Sequence, residues 1–96
     1  MAYRVVEVQA TPNPNAVKLI LDRVVSEEPT SFFNAEAARN HPLAQRLFAI
    51  DGVSGLLLLG DFITINKRQD GDWKRITREA KEMLDNFEDM GNIGNL

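Results

Sequence analysis

The chain has 96 residues, of which 44% are hydrophobic and 26% are charged. This composition is typical of a folded globular protein, and the length supports one hydrophobic core, so the sequence predicts a single domain over residues 1–96. The formal net charge of −3 provides no overall attraction to nucleic acid or to an anionic membrane. No apolar run has the roughly 20 residues of a membrane span, and no signal-peptide pattern opens the chain. We therefore expect a cytoplasmic protein that binds neither nucleic acid nor membrane.

Cysteine is absent from the sequence, and histidine occurs once, at His41. Thiolate metal sites, disulfides and cysteine nucleophiles are therefore excluded for these residues. A single histidine builds no nitrogen-rich metal site, and His41 before Pro42 is typical of a helix start. Asp70 and Asp72 flank a glycine, and a turn with a helix cap explains them better than a cation site. The sequence predicts no catalytic residue, no metal ligand set and no cofactor held by this chain, and hence a protein that is not an enzyme.

The N-terminal third of the sequence predicts two strands joined by a stiff loop. Apolar and polar residues alternate at 3–9 and again at 16–22, which is the pattern of half-buried strands. The two prolines of residues 11–15 restrict the backbone between these strands. Residues 26–33 contain Pro29 and several polar side chains, so they predict a connection whose two phenylalanines reach the core.

Two short helical segments are predicted next. Asn34 is placed to cap a helical turn that ends at Ala38. His41 followed by Pro42 predicts a second helix, because proline is tolerated at the first helical position. The glycine at Gly52 is expected to end it.

The C-terminal half predicts a hairpin and a long helix. Residues 53–59 and 62–67 form two β-runs separated by a two-residue turn that begins with glycine. From Trp73 onward, apolar residues recur every three or four positions, which predicts an amphipathic helix ending near Gly91. Residues 91–96 are predicted to be a frayed tail.

The predicted order β-β-α-β-β-α indicates an α+β fold. Its simplest form is a two-layer sandwich in which helices cover one face of a mostly antiparallel sheet. We expect the apolar stripe of the last helix to pack on the sheet face that carries Ile63 and Ile65. The stripe consists of Trp73, Ile76, Ala80, Met83 and Phe87.

Basic residues cluster around the start of the last predicted helix. Lys67 and Arg68 leave the hairpin, Lys74 and Arg78 lie in the first half of the helix, and acidic residues dominate its second half. This order opposes the helix dipole. One explanation is a solvated face with ion pairs such as Arg78 with Glu82, and the other is a docking patch for an acidic partner.

The loop at 11–15 is the second candidate contact region. A rigid loop rich in asparagine amides loses little entropy when it binds a ligand. Thr11, Asn13 and Asn15, with Lys18 on the following strand, are therefore candidate interaction residues. The alternative is that the loop has only a structural role, as a turn between the two strands.

Several short motifs occur in order along nearly the whole chain. Together they resemble the N-terminal domain of the Nfu/NifU-like iron–sulfur scaffold proteins, a domain that also occurs as a free-standing small protein. The proline-asparagine loop and the Asp-Phe-Ile-Thr run are the most specific of them. The motifs are Thr11-Pro12-Asn13-Pro14-Asn15 with Lys18, Asn34-Ala35-Glu36-Ala37-Ala38, Pro42-Leu43-Ala44, Leu47-Phe48, Gly52-Val53, Asp61-Phe62-Ile63-Thr64 and Asp72-Trp73.

The resemblance implies a role in iron–sulfur cluster assembly or delivery. Longer family members carry a second domain whose Cys-x-x-Cys motif holds the cluster, and we expect the free-standing form without it. Clusters need thiolate ligands, so iron or a cluster would be held only by a partner. The implied function is an accessory domain that contacts cluster-assembly or recipient proteins. Weak, direct binding of iron or another divalent cation through oxygen ligands is the alternative.

Overall fold

A computed structural model describes residues 3–87 of the chain. Within this range the chain forms five strands, two α-helices and one short 3-10 turn. The elements are β1 Val5–Ala10, β2 Ala16–Leu21, β3 Ser26–Phe32, the 3-10 turn Glu36–Ala38, α1 Pro42–Phe48, β4 Val53–Gly60, β5 Phe62–Lys67 and α2 Trp73–Asn86. The frayed tail predicted at 91–96 lies outside the described residues.

The strands form one sheet in the order β1-β2-β5-β4-β3, and every neighbouring pair is antiparallel. The first and second hairpins meet in the middle, where β2 pairs with β5. Helix α1 contacts β4, α2 contacts β1, and the two helices contact each other. The predicted α+β class with a mostly antiparallel sheet is confirmed.

The edge strand β3 corrects the prediction for residues 26–33, which sequence patterns assigned to a connection. Proline and charged residues are tolerated at a sheet edge, where the outward amides have no ladder partner. The register between β3 and β4 shifts between Ser26 and Thr30, and Pro29 lies within that irregular stretch. Phe32 is buried as predicted, whereas Phe33 is 84% exposed and does not reach the core.

Local capping signals are confirmed at three places. Asn34 Oδ1 accepts a hydrogen bond from the Ala37 amide at 2.8 Å. His41 Nδ1 accepts one from the Ala44 amide at 3.2 Å, with Pro42 in the first turn of α1. Asp72 Oδ1 accepts one from the Lys74 amide at 3.0 Å at the start of α2. Short-range sequence patterns therefore position all three helical segments.

Two glycines have positive φ angles, a backbone conformation in which other residues are strained. Gly52 follows α1 with φ of 101°, and Gly60 begins the β4–β5 turn with φ of 57°. Leu59 pairs with Phe62 across that turn, so the predicted hairpin with a two-residue loop is confirmed.

Helix α2 ends at Asn86, earlier than the predicted end near Gly91. Phe87 adopts an extended conformation, and its ring is buried 6.2 Å from the ring of Tyr3. This tertiary contact stabilises the extended conformation of Phe87 and so favours a helix end at Asn86. Helical periodicity in the sequence carries no information about such a contact.

The core lies between the sheet and the helices. Ile76, Ala80 and Phe87 from the predicted stripe are buried in the same cluster as Ile63 and Ile65, as expected. Trp73 and Met83 are only partly buried at its margin. The largest fully buried side chains are Leu19, Leu47, Leu58, Ile63, Ile65, Ile76 and Leu84.

Replacing Phe87 with alanine tests this packing. The ring is 7% exposed, so we expect Phe87→Ala to lower the free energy of unfolding by about 3–5 kcal/mol. Phe33→Ala is the matched control and should change it by less than about 0.5 kcal/mol, because that ring is in solvent. Chemical denaturation measures both, and equal midpoints for the two variants would contradict the assignment of Phe87 to the core.

Candidate functional site

One end of the sheet brings together the proline-asparagine loop, the β5–α2 connection and the first residue of α2. Pairing of β2 with β5 places Ala16 opposite Asn66. The Lys67 amide then donates to the Asn15 carbonyl at 2.9 Å. We call this region the loop end and define it as residues 11–15, 67–72 and Trp73. It joins segments that are more than 50 positions apart in the chain.

The proline-asparagine loop is held by its own hydrogen bonds. Thr11 Oγ1 lies 2.9 Å from the carbonyl oxygens of Asn13 and Ala16, and it accepts from the Asn13 amide at 3.1 Å. Asn13 Oδ1 accepts from the Asn15 amide at 2.9 Å, which closes an Asx-type turn. The side chains of Thr11 and Asn13 therefore shape the loop, while Asn13 itself remains exposed.

Long-range contacts brace this loop against the rest of the domain. Trp73 Nε1 donates to the Pro14 carbonyl at 2.9 Å. Lys67 Nζ lies 3.1 Å from Asn15 Oδ1, 3.2 Å from the Arg68 carbonyl oxygen and 3.3 Å from that of Gln69. An ammonium group has three donors, and these three acceptors use all of them. Lys67 is thus a bracing residue rather than a free contact for a partner.

Trp73 is a loop-end residue that sequence reasoning assigned only to the core. Its indole combines a partly buried ring with the hydrogen bond to Pro14, and Lys67 Nζ lies 5.8 Å from the ring centroid. The position directly after the Asp72 cap points the side chain toward the loop. Trp73 and the loop both contribute motifs to the family resemblance, but no sequence signal placed them side by side.

Much of the predicted basic patch is neutralised within the chain. Arg68 pairs with Asp51 at 3.0 Å and with Asp70 at 3.4 Å. The hydrogen bond to Asp51 is the main cause that raises the pKa of the Arg68 guanidinium above its ordinary value. Arg75 pairs with Glu79 at 2.8 Å, and this bond raises the pKa of Arg75 in the same way. These guanidinium groups have less capacity to attract an external anion.

Lys74 and Arg78 are the basic residues of the patch that are least compensated. Arg78 lies 3.9 Å from Glu79 at the limit of an ion pair, and the ion pairs within residues 3–87 do not include Lys74. Both are exposed on the first half of α2, next to the loop end.

Lys18 lies apart from the loop end, on the sheet face opposite the helices. Its Nζ is 4.1 Å from the centroid of the Phe62 ring, a cation–π contact between β2 and β5. Of the candidate interaction residues, the structure therefore groups Thr11, Asn13, Asn15, Lys67 and Arg68 at the loop end, places Lys74 and Arg78 beside it, and separates Lys18 from them.

Metal-binding side chains are dispersed over the described part of the chain. Among residues 3–87, no three histidine, aspartate or glutamate side chains are close enough together to hold a metal ion. Nor does that part contain a helix long and apolar enough to cross a membrane.

Comparison with known proteins places these features in a family. The family described as "Scaffold protein Nfu/NifU N terminal" matches residues 6–91. The human protein named "NFU1 iron-sulfur cluster scaffold homolog, mitochondrial" is 41% identical over 87 residues, which cover 88% of this chain and 34% of the human protein. "NifU-like protein 5, mitochondrial" from Arabidopsis thaliana is 31% identical over 87 residues, covering 90% of this chain and 32% of that protein.

Solved structures agree with this placement. The solution structure of a NifU-like protein from Saccharomyces cerevisiae matches with a TM-score of 0.73 and 30% identity, covering 86% of this chain and 76% of that one. The chain spans about a third of the length of the curated relatives that it matches. The match of the family model over residues 6–91, nearly the whole chain, shows that the chain belongs to the Nfu/NifU N-terminal domain family.

Proposed function

We propose that this domain is a non-enzymatic binding module of iron–sulfur cluster assembly or delivery, and that it contacts other proteins without holding the cluster itself. The observation that carries this proposal is ligand chemistry: the 96 residues contain no cysteine. Bridged iron–sulfur clusters are held mainly by thiolates, so the ligands must come from a partner or from another part of a longer protein. The names of its human and Drosophila relatives, which include the words iron–sulfur cluster scaffold, support the biological context.

The loop end is the contact surface that the geometry supports best. Its backbone is ordered before binding, because Trp73 and Lys67 secure both Pro14 and Asn15. Ordering a loop on binding reduces affinity, and a loop that is already braced avoids that cost. Pro12, Asn13 and Pro14 remain exposed on its outer side, where a partner reaches them.

Charge indicates the kind of partner. Lys74 and Arg78 add weakly compensated positive charge beside the loop end, whereas Arg68 and Arg75 are paired with carboxylates. A partner surface that presents carboxylates would gain affinity and a faster association rate from these two residues. We therefore propose an acidic surface on a cluster-assembly or recipient protein as the binding partner.

Cytoplasmic residence stays a prediction. The human and Arabidopsis relatives carry the word mitochondrial in their names. The partners that we propose exist wherever clusters are assembled, so the binding mechanism is the same in either compartment.

Charge reversal beside the loop end tests the proposed surface. We expect Lys74→Glu combined with Arg78→Glu to leave the fold intact and to reduce recovery of cluster-assembly and recipient proteins, because a favourable contact with carboxylates becomes a repulsive one. Quantitative mass spectrometry of proteins bound to the immobilised chain, taken from its native cell extract, measures this recovery.

A matched control separates local charge from net charge. Arg23→Glu with Arg39→Glu changes the net charge equally but alters exposed residues away from the loop end. Equal recovery by the wild type and both double variants would contradict the proposed docking surface. Recovery of none of these proteins by the wild type would contradict the proposed function.

Removing one brace tests whether loop order matters. Trp73→Phe keeps an aromatic ring but deletes the Nε1 donor to Pro14, so we expect a loss of about 0.5–1.5 kcal/mol of stability. Amide hydrogen exchange at Asn13, Asn15 and Ala16 should accelerate, while exchange in the interior strand β4 remains slow as an internal control. Unchanged exchange in the loop would show that the indole does not brace it.

Cluster reconstitution tests the absence of ligands directly. The purified 96-residue chain, incubated anaerobically with ferrous iron, sulfide and a reductant, should lose its visible absorbance on desalting, because it supplies only oxygen donors and one imidazole. Iron and acid-labile sulfide are then measured after gel filtration. A coloured species that retains both in matching amounts would contradict the cluster-free reading.

A further inference from the structure

Three basic residues form a straight stripe along the solvent side of α2. Lys74, Arg78 and Lys81 are separated by four and three positions, and the helical period of about 3.6 residues places them on one side of the helix. All three are exposed. We call this row the basic stripe. Arg75 lies about 100° around the helix from Lys74 and therefore belongs to a different row.

The basic stripe is poorly neutralised by the described part of the chain. Within residues 3–87, Lys74 and Lys81 take part in no ion pair, and Arg78 reaches only Glu79, at 3.9 Å. The neighbouring row differs, because Arg75 pairs with the same Glu79 at 2.8 Å. Lys81 therefore joins Lys74 and Arg78 as a third cation that is available to a partner.

Two carboxylates on α2 are spaced to pair with the stripe but do not do so. Glu82 follows Arg78 by four positions, and Asp85 follows Lys81 by four, which is the usual spacing of a helical ion pair. Neither pair is among the ion pairs of residues 3–87. The predicted explanation of a solvated face with ion pairs such as Arg78 with Glu82 is therefore not what the structure contains.

The stripe has a defined position and length. It begins at Lys74, directly after Trp73 of the loop end, so the two surfaces are continuous. Beyond Lys81 the next residue in the same row is Asp85, whose charge is negative. A rise of about 1.5 Å per residue separates the first and last cations by about 10 Å along the helix axis.

This length distinguishes the shapes of acidic segment that could bind. Carboxylates at positions i, i+4 and i+7 of a second helix also span about 10 Å and lie on one side of it. Three successive residues on one face of a strand span about 13 Å, so a strand matches the three cations less well. The methylene stems of the lysine and arginine side chains provide apolar contact for a helix laid alongside.

We propose that the partner presents an acidic helix, which lies along α2 with carboxylates at i, i+4 and i+7 opposite Lys74, Arg78 and Lys81. The proposal rests on the proposed function and specifies the form of the acidic surface that binds there. Asp85 repels a fourth carboxylate, so the acidic row of the partner helix ends before it. The charge order of α2, which the helix dipole disfavours, then serves recognition.

Two synthetic peptides test this proposal. Both are alanine-based, end-capped helices of about 18 residues with three glutamates. One peptide carries them at i, i+4 and i+7, and the other at i, i+5 and i+10, where they point in three directions. Fluorescence anisotropy of the labelled peptides, titrated with the 96-residue chain at low salt, measures affinity, and circular dichroism checks that both peptides are helical. We expect the one-sided peptide to bind at least about fivefold more tightly, because it makes three ion pairs together.

Single charge reversals locate the contact. Lys81→Glu should weaken binding of the one-sided peptide by at least about threefold, because an attraction becomes a repulsion. Arg39→Glu is the matched control, since it makes the same change of net charge at an exposed residue outside α2. It should leave the dissociation constant within about twofold of the wild type.

A charge swap tests the register of the two helices. Arg78→Glu should weaken the one-sided peptide, and replacing the central glutamate of that peptide with lysine should restore affinity for this variant, because the two signs are exchanged across one contact. Arg78 is the middle cation of the stripe, so the swap applies whichever direction the peptide takes. If Lys81→Glu lowers the thermal stability, this swap still decides the outcome.

Three outcomes would overturn the acidic helix. They are equal affinity for the two peptides, no binding of the one-sided peptide at chain concentrations up to about 1 mM, and binding that tolerates Lys81→Glu and Arg78→Glu alike. Any of them, with cluster-assembly proteins still recovered from extract by the wild type, would leave the proposed function standing. Peptide discrimination without such recovery would contradict the proposed function and support the helix site alone.

Discussion

The antiparallel ladder between β2 and β5 is the contact on which the rest of the domain depends. It joins two hairpins that are distant in sequence, and it sets Leu19 opposite Ile63 and Val17 opposite Ile65. Full burial of each leucine or isoleucine contributes about 1.5–3 kcal/mol, so this ladder forms the stable centre of the sheet. The same pairing brings the Asn15 carbonyl beside Lys67, and it leaves β1 and β3 as the two edges.

Features that depend on neighbouring residues could be predicted from the sequence. The caps at Asn34, His41 and Asp72 and the turn at Gly60 are chemical preferences of short segments, and all four are present. The strand Ser26–Phe32 was missed because proline and acidic residues are as typical of an edge strand as of a connection. The early end of α2 depends on the contact of Phe87 with Tyr3, which joins opposite ends of the described chain.

The candidate site shows the same division between local and long-range information. The sequence indicated the loop at 11–15, because its prolines and asparagines act locally. It did not indicate that Lys67 uses its three donors inside the loop end, or that Arg68 is neutralised by Asp51. Asn15 and Asp51 are distant in the sequence from Lys67 and Arg68, so spacing in the sequence carries no signal for these two contacts. The basic patch therefore reduces to Lys74 and Arg78, two residues whose compensation is weak.

The central claim is that the loop end binds a protein that keeps the cluster. Nuclear magnetic resonance of the isotope-labelled chain, titrated with a cluster-loaded assembly or recipient protein, tests it most directly. We expect the amide shifts to concentrate within residues 11–15 and 73–78, and the visible absorbance to remain with the partner after the two proteins are separated. Shifts confined to other surfaces, or a cluster that leaves the partner and stays with this chain, would contradict it.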